Sequence, residues 1–311
     1  MHTVVRIFST TAFCATALWP SMATAGIVDD VRAAIAAKDF PKAERQTRDY
    51  QKARGATPEL AQAVSWLARG ALAAKELDRA DAFAAQARKM ALETLGSRKL
   101  DNDQWLPLAL GAAIEVHGQA LNARGEKAAA VEYLEGEFKT YGKTSLAERI
   151  QKNINLISLE GKPAPALEAR EWLGPKPVTL ASLKGRPVLL FFWAHWCPDC
   201  KAMVPILTSL MKTYGPKGLA LVGPTRYYGY TAGAEGVPPP LEKPYIDEVR
   251  RRYYATLAAM PAPLANANFI TYGASSTPTI VLVDAQGIVR WYHPGSATEQ
   301  ELAARIQPWL K

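Results

Sequence analysis

The sequence has 311 residues, 49% hydrophobic and 21% charged, a balance typical of folded globular proteins and unlike that of disordered ones. The length favours two domains, and no stretch reaches the roughly 18 consecutive apolar residues that a membrane-spanning helix needs. The formal net charge is +8, but basic and acidic residues are interspersed, so we expect no nucleic-acid partner.

Residues 1–25 have the pattern of an export signal. His2 and Arg6 provide a weakly basic start, residues 7–18 form a short apolar run, and small residues end the segment. We therefore expect a signal peptide cleaved after Ala25 and an exported, periplasmic protein. An uncleaved N-terminal membrane anchor is the alternative.

The sequence contains three cysteines, one of which, Cys14, lies in the signal segment. The mature chain would keep only Cys197 and Cys200. Stray thiols are a liability in an oxidising compartment, and closing so short a loop removes little entropy from the unfolded chain. The pair is therefore predicted to be reactive. Two thiolates and scattered histidines lack the spacing of zinc ligands, so we expect no metal site.

Residues 26–157 are rich in alanine and other helix-forming residues. Similar segments occur at 37–44, 74–81 and 123–131, each with a short polar break before an alanine that starts a second helical run. This pattern predicts helical hairpins and resembles tetratricopeptide repeats, although the spacing departs from their period of about 34 residues. Two roles stay open: a concave surface that binds a protein partner, and a bundle that packs on the second domain and positions it.

A glycine and two prolines within residues 161–165 end the helical pattern, and residues 158–311 are predicted to form the second domain. Strands are predicted at 188–193, 219–222, 279–283 and 288–292, and helices at 198–214, 246–260 and 298–310. The run 188–193 is continuously apolar, as in a central strand buried on both faces. Thr298 and Glu301 form a capping-box pattern. These elements predict an α/β fold with helices covering a sheet.

Residues 225–230 and 237–240 lie between the second predicted strand and the next helix. They are rich in tyrosine, glycine and proline, which predicts a surface loop. Its tyrosines either shape access of a substrate or pack over the edge of the sheet.

The most informative motif is the stretch 196–200, in which two cysteines flank a Pro-Asp pair at the start of a predicted helix. Unpaired N–H groups and the dipole at a helix N-terminus stabilise a thiolate, so Cys197 is predicted to be the exposed attacking thiol. Cys200, one turn further in, would resolve the mixed disulfide. Asp199 opposes thiolate formation, which favours a reductant or isomerase over a strong oxidant.

Other motifs surround this pair in a familiar order. They are the segments 161–165, 183–187 and 192–197, Pro205, and Ser276–Thr279. From about residue 160 onward the chain resembles the TlpA/ResA-like thiol–disulfide oxidoreductases. The resemblance implies a thioredoxin-like fold, a central mixed sheet with flanking helices, behind the helical-hairpin domain. It also implies a cis Pro278 facing the disulfide, a Thr277 backbone that pairs with an extended substrate, and no cofactor beyond the Cys197–Cys200 disulfide.

Two positions depart from the family's pattern. Met203 stands where many members carry a glutamate, and Phe191 stands where thioredoxin has a buried aspartate. The proton acceptor for the resolving thiol is therefore open among His195, Asp199 and Lys201. His195 is suited by a pKa near neutrality, and its alternative interpretation is a surface residue at the strand end.

The sequence thus predicts an exported reductant of protein disulfides, with isomerisation as a lesser possibility. The resemblance implies a membrane thiol protein as electron donor and client proteins that include apocytochromes c. One alternative is a scaffold whose helical half recruits a protein partner. Another is a thiol peroxidase, which is disfavoured because Ala194 stands where the peroxidase motif has threonine.

Overall fold

The computed structural model describes residues 26–176 and 179–310, so the predicted signal segment lies outside the described residues. The helices are α1 (Ile27–Ala36), α2 (Phe40–Arg54), α3 (Pro58–Ala73), α4 (Leu77–Leu95), α5 (Leu106–Ala123), α6 (Lys127–Tyr141), α7 (Ala147–Ser158), α8 (Pro198–Ala202), α9 (Val204–Tyr214), α10 (Pro239–Tyr253), α11 (Asn266–Tyr272) and α12 (Glu299–Ile306). The strands are β1 (Trp172–Leu173), β2 (Val188–Phe192), β3 (Ala220–Val222), β4 (Tyr230–Thr231), β5 (Ala234–Glu235), β6 (Ala262–Pro263), β7 (Thr279–Val283) and β8 (Val289–Pro294). None of the described helices is long and apolar enough to cross a lipid bilayer.

The first six helices form three hairpins that share one kind of turn. The turn residues are Lys38, Lys75 and Gly125, with positive φ angles of 60°, 63° and 88°. In each turn the next residue's N–H donates to a carbonyl at the end of the preceding helix, as from Asp39 to Ala34 at 2.9 Å. These turns fall within the three similar segments of the sequence, and the predicted helical hairpins are confirmed.

Small residues allow these helices to pack closely. A Cβ atom on Gly70 would lie 2.9 Å from the ring of Phe40, and one on Gly118 would lie 2.9 Å from the side chain of Leu134. Alanines fill much of the shared core, including fully buried Ala68. The alanine-rich composition therefore reflects tight helix–helix contacts.

The second half is built on a four-stranded sheet in the order β3-β2-β7-β8. Strand β2 pairs in parallel with β3 and antiparallel with β7, and β7 pairs antiparallel with β8. All five residues of β2 are buried. Leu189 and Phe191 belong to one apolar cluster, and Leu190 and Phe192 belong to another. The predicted central strand and mixed sheet with flanking helices are confirmed.

Two predicted helices differ from the observed ones. The predicted helix 198–214 is divided at Met203, just before Pro205, into α8 and α9. The predicted helix 246–260 instead begins at Pro239, inside the predicted loop, and ends at Tyr253. Proline is tolerated in the first turn of a helix because the N–H groups there have no intrahelical partner.

The ends of the second half follow the sequence more closely. The capping box predicted at Thr298 and Glu301 is present at the start of α12. The short helix α11 and the strand pairs β1–β6 and β4–β5 were not predicted, because their segments are too short to show a hydrophobic period.

Helix α7 joins the two halves. Asn155 donates from Nδ2 to the carbonyl of Thr271 at 3.3 Å, and Glu160, just after the helix, accepts from the N–H of Tyr292 at 3.0 Å. Gly273, with a φ of 59°, lies so close that a Cβ atom there would overlap the backbone of Lys152. The helical half and the sheet half are therefore in direct backbone contact.

Gly273→Ala tests this contact. A side chain there meets both the left-handed conformation and the α7 backbone, so the free energy of unfolding should fall by about 3 kcal/mol. The measurement is denaturant unfolding. Gly287→Ala is the control: Gly287 also has a positive φ, 86°, but its nearest neighbour would be 3.9 Å away. It should lose only about 1 kcal/mol. Equal losses in the two variants would contradict the close packing.

Candidate active site at Cys197 and Cys200

The Cys197–Cys200 pair lies where the chain passes from β2 into α8. Cys197 is the N-cap of α8, and its Sγ accepts a hydrogen bond from the N–H of Cys200 at 3.0 Å. Pro198 occupies the first helical position, where its missing N–H costs nothing. The two cysteines form a disulfide with their Cα atoms 5.3 Å apart.

The segment before β7 faces this disulfide. The Thr277–Pro278 peptide bond is cis, and the Thr277 carbonyl oxygen lies 3.4 Å from Cys197 Sγ. Thr279 pairs with Phe192 across the sheet, and its hydroxyl donates to the carbonyl of Ser276 at 2.7 Å. Strand pairing therefore brings two segments that are distant in sequence to the same point.

Cys197 is not the exposed thiol that the sequence predicted. It is only 2% exposed, and Cys200 is fully buried. The Thr277 carbonyl lies against the Cys197 sulfur, and Cys197 belongs to the same apolar cluster as Met203. The exposed group beside the disulfide is Trp196, at 48%, whose ring packs edge-on against Tyr228 at 5.5 Å. This indole, together with Pro198 and Asp199, forms the accessible surface next to the disulfide.

His195 is buried, so its interpretation as a surface residue is wrong. It is 1% exposed, and its Nε2 lies 2.9 Å from the carbonyl oxygen of Tyr230. Because a carbonyl only accepts, Nε2 carries the proton. Nδ1 has no hydrogen-bond partner among the described residues. Burial lowers the pKa of His195, although nearby Glu242 partly opposes this shift. The imidazole is therefore neutral, with a free lone pair on Nδ1.

Glu242 is the buried acid of the site, and the sequence did not reveal it. Its side chain is fully buried, and it accepts from the N–H groups of Tyr228 at 2.7 Å and Gly229 at 2.8 Å. Its Oε1 lies 4.0 Å from Nδ1 of His195. The carboxylate fixes the tyrosine-rich loop against the active site. It was missed because the surrounding prolines predicted a loop in place of α10.

The other two candidates for proton transfer lie on the outer side of α8. Asp199 is exposed in the first turn of the helix. Lys201 is half-buried, with Nζ 4.5 Å from the centre of the Tyr253 ring. Met203 and Phe191 are buried and apolar, as the sequence indicates. The structure thus buries His195 inside the fold and leaves Asp199 on the surface, whereas Lys201 is half-buried and its positive charge helps to lower the pKa of His195.

The tyrosine-rich loop packs rather than projects. The Thr225 hydroxyl donates to the carbonyl of Trp193 at 2.9 Å, and the Trp193 indole N–H donates to the carbonyl of Gly223 at 2.9 Å. Tyr228 lies between the rings of Trp196 and Phe269, at 5.5 and 6.2 Å. These contacts agree with the interpretation that the tyrosines pack over the sheet. Because Tyr228 contacts Trp196, the loop also lies beside the disulfide.

A cysteine pair at a helix N-terminus, opposite a cis-proline turn on a mixed sheet, defines a thiol–disulfide oxidoreductase of the thioredoxin fold. The comparisons agree. Residues 161–225 match the AhpC/TSA family. The chain is 29% identical over 154 residues to the thiol:disulfide interchange protein DsbE of Xylella fastidiosa, covering 49% of this chain and 70% of that one. It is 30% identical over 151 residues to DsbE of Pseudomonas fluorescens biotype C, covering 47% of this chain and 75% of that one.

A solved structure shares the same region. It is a thiol:disulfide interchange protein of the thioredoxin family from Chlorobium tepidum, 21% identical, with a TM-score of 0.37, covering 48% of this chain and 97% of that one. Through its C-terminal half, the chain belongs to the DsbE-like members of the TlpA/ResA-like thiol–disulfide oxidoreductases. The matches to the DsbE proteins cover about half of the chain, so the helical half lies outside them.

The buried imidazole predicts a pH dependence of stability. Because burial lowers the pKa of His195 in the folded state, the unfolded chain binds a proton first as the pH falls. Stability should therefore decrease below the ordinary histidine pKa of about 6.5, with a slope of up to about 1.4 kcal/mol per pH unit.

His195→Gln, which keeps a donor for the Tyr230 carbonyl, should flatten this decrease between about pH 7 and pH 5. Urea unfolding at several pH values measures it. The control is His293→Asn, at a half-buried position, which should leave the decrease in place. An unchanged slope in His195→Gln would contradict the assignment of a neutral buried imidazole.

Proposed function

We propose that this protein is an exported reductant of protein disulfides that works through the Cys197–Cys200 couple. The observation that carries the proposal is the contact between Cys197 Sγ and the Thr277 carbonyl, 3.4 Å apart at the N-terminus of α8. This contact puts the proposed reactive sulfur beside the backbone of Thr277, on which we propose that an extended client strand pairs. Relatives named thiol:disulfide interchange proteins support the same chemistry.

The reaction runs through a mixed disulfide. The Cys197 thiolate attacks one sulfur of the client disulfide, a new S–S bond forms, and the other client sulfur leaves as a thiolate and takes up a proton. The Cys200 thiolate then attacks Cys197 Sγ and releases the second client thiol. Two electrons pass to the client, and the Cys197–Cys200 disulfide forms. A dithiol donor must then reduce this disulfide again.

The surroundings of the pair support these roles. The N–H of Cys200 already points at Cys197 Sγ, at 3.0 Å, where it stabilises negative charge. The N-terminus of α8 adds its dipole. Cis Pro278 is proposed to present the Thr277 backbone to the client. Because Cys197 is only 2% exposed, the client must dock closely against Trp196 and this turn to reach the sulfur.

His195 is the proposed proton acceptor for Cys200. Its neutral imidazole carries a free Nδ1, whereas Asp199 and Lys201 lie on the outer side of α8. Among the described residues it forms no hydrogen bond to either sulfur, so the proton would pass through water. Glu242, 4.0 Å from Nδ1, would stabilise the imidazolium that results.

The finer assignments rest on the family resemblance. A membrane thiol protein is the proposed electron donor, and apocytochromes c with oxidised haem-attachment cysteines are one proposed class of client. The helical half is proposed to position clients or a protein partner. No metal and no cofactor beyond the disulfide enter the proposed reaction.

Trapping variants test the roles of the two cysteines. Cys200→Ser should accumulate mixed disulfides with client proteins in cells, because the resolving thiol is lost while the attacking thiol stays. Cys197→Ser should not. The complexes are separated on non-reducing gels and identified by mass spectrometry. Equal trapping by both variants, or by neither, would refute the assignment. Consumption of hydrogen peroxide at the rate of disulfide reduction would instead favour a peroxidase.

Export can be tested on the same protein. Expressed in a Gram-negative host, the chain should appear in the periplasm with Gly26 as its first residue, because small residues at the end of the segment suit signal peptidase. Intact-mass measurement of the periplasmic fraction checks this. Ala25→Leu should accumulate as precursor. A full-length chain in the membrane fraction would show that residues 1–25 are an anchor.

A further inference from the structure

A polar cavity of about 670 Å³ lies between the two halves. Arg69, Arg149 and Lys152 line it from the helical half, and Arg226 and Ser276 line it from the sheet half. We call it the interdomain cavity. The helical half therefore helps to form a surface that the thioredoxin-like half alone would lack.

The cavity carries an excess of positive charge. Glu115 accepts from Arg149 Nε at 2.6 Å and pairs with Lys152 Nζ at 3.2 Å. Arg69 lies near the same carboxylate, and among the described residues no carboxylate forms an ion pair with it. Three cations thus share one carboxylate. On the other wall Arg226 pairs with Glu148, so that pair is neutral and the excess stays with Arg69, Arg149 and Lys152.

The titration of these groups agrees with this count. Burial, together with repulsion by Arg149, lowers the pKa of Arg69 to about 10. Burial opposes ionisation of Glu115, yet the three cations lower its pKa to about 2. Arg69 and Glu115 are therefore both charged at neutral pH, while burial also lowers the pKa of Lys152 and Glu115 opposes that shift.

The cavity adjoins the place where a client must bind. Ser275 and Ser276 line it, and Thr277, the next residue, contacts Cys197 Sγ through its carbonyl at 3.4 Å. Consecutive Cα atoms are about 3.8 Å apart, so the cavity wall starts within about two residues of the active-site turn. An extended strand advances about 3.3 Å per residue. A client side chain about two to four residues from the attacked cysteine would therefore lie at the distance of the cavity wall formed by Ser275 and Ser276.

We propose that the interdomain cavity selects clients by binding a carboxylate of the extended segment beside the target cysteine, about two to four residues away. The inference rests on the proposed function, which supplies the client, and it gives the helical half a direct part in substrate choice. The recognised class is an acidic peptide segment. Arg69 and Lys152 supply the positive charge, and the Ser276–Thr277 backbone aligns the segment.

The test compares two peptides that differ only in a carboxylate, present in Glu, and a carboxamide, present in Gln. Each peptide has a single cysteine joined through a disulfide to uncharged 2-mercaptoethanol. One peptide of each pair carries Glu and the other carries Gln at the same position. A series of such pairs places this position two, three or four residues before or after the cysteine. With the reduced protein, kcat/KM for the Glu peptide should exceed that for the Gln peptide about tenfold at the best position. The ratio should fall with added salt.

Variants locate the source of the preference. Lys152→Gln and Arg69→Gln should each lower the Glu/Gln ratio, and together they should bring it close to one. Glu115→Gln removes the competing carboxylate and should raise the ratio, a change that loss of structure would not produce. Arg251→Gln is the control, since its side chain is 67% exposed and far from these residues in sequence. It should keep the wild-type ratio.

Three outcomes would overturn the proposal. One is a ratio near one at every Glu position in the wild-type protein. A second is a ratio that Lys152→Gln and Arg69→Gln leave unchanged. Equal binding of both peptides with tight binding of inorganic phosphate would also overturn it, because the cavity would then hold a free anion.

A failure of the proposed function gives a different result. Reduced wild-type protein that reduces none of the peptide disulfides, whichever residue they carry, lacks the reductase activity. Calorimetry with cysteine-to-serine forms of the two peptides still measures selection by the cavity in that case. A preference for the Glu peptide there would support the cavity proposal even without reduction, and its absence would overturn it.

Discussion

The antiparallel pairing of β2 with β7 sets the geometry of the active site. Phe192, the last residue of β2, pairs with Thr279, the first of β7. From this pair the chain leads in one direction to Cys197 at the N-terminus of α8 and in the other to the cis Thr277–Pro278 bond. A one-residue slip would turn every buried side chain of the central strand to the wrong face. The core thus fixes the register, and the register fixes the distance between the Cys197 sulfur and the Thr277 backbone.

Around this point the protein combines a closed reactive pair with an exposed aromatic ring. The disulfide is almost fully covered, while Trp196 projects into solvent beside it. Two residues before Cys197 lies the neutral imidazole of His195, 4.0 Å from the buried carboxylate of Glu242, and backbone hydrogen bonds hold both groups. Under the proposed function, such an arrangement would limit reaction with small thiols and require a partner to dock before chemistry starts. Discrimination between clients then depends on the surfaces that flank the turn.

Sequence reasoning found the parts of the site that lie in strong local patterns. The cysteine pair, the apolar strand, the Thr277–Pro278 turn and the capping box at Thr298 all have short signatures. The burial of His195 and the role of Glu242 depend on α10, whose start was hidden by prolines that also suit the first turn of a helix. The exposure of Cys197 was mispredicted because the Thr277 carbonyl covers its sulfur, and Thr277 is distant from Cys197 in the sequence. Long-range contacts of this kind leave no local trace.

Helix α7 illustrates how composition and contact divide a chain differently. Its residues continue the helical half, yet Asn155 bonds to the Thr271 carbonyl and the Lys152 backbone packs on Gly273. On its other face α7 contributes Ile150 and Ile154 to the core of the helical half, so a cut on either side of the helix exposes packed surface. A thioredoxin-like module excised at the composition break would lose the surface that covers α11. The two halves are thus joined through a shared structural element, and exchange of either half would remove one of the two surfaces on which α7 packs.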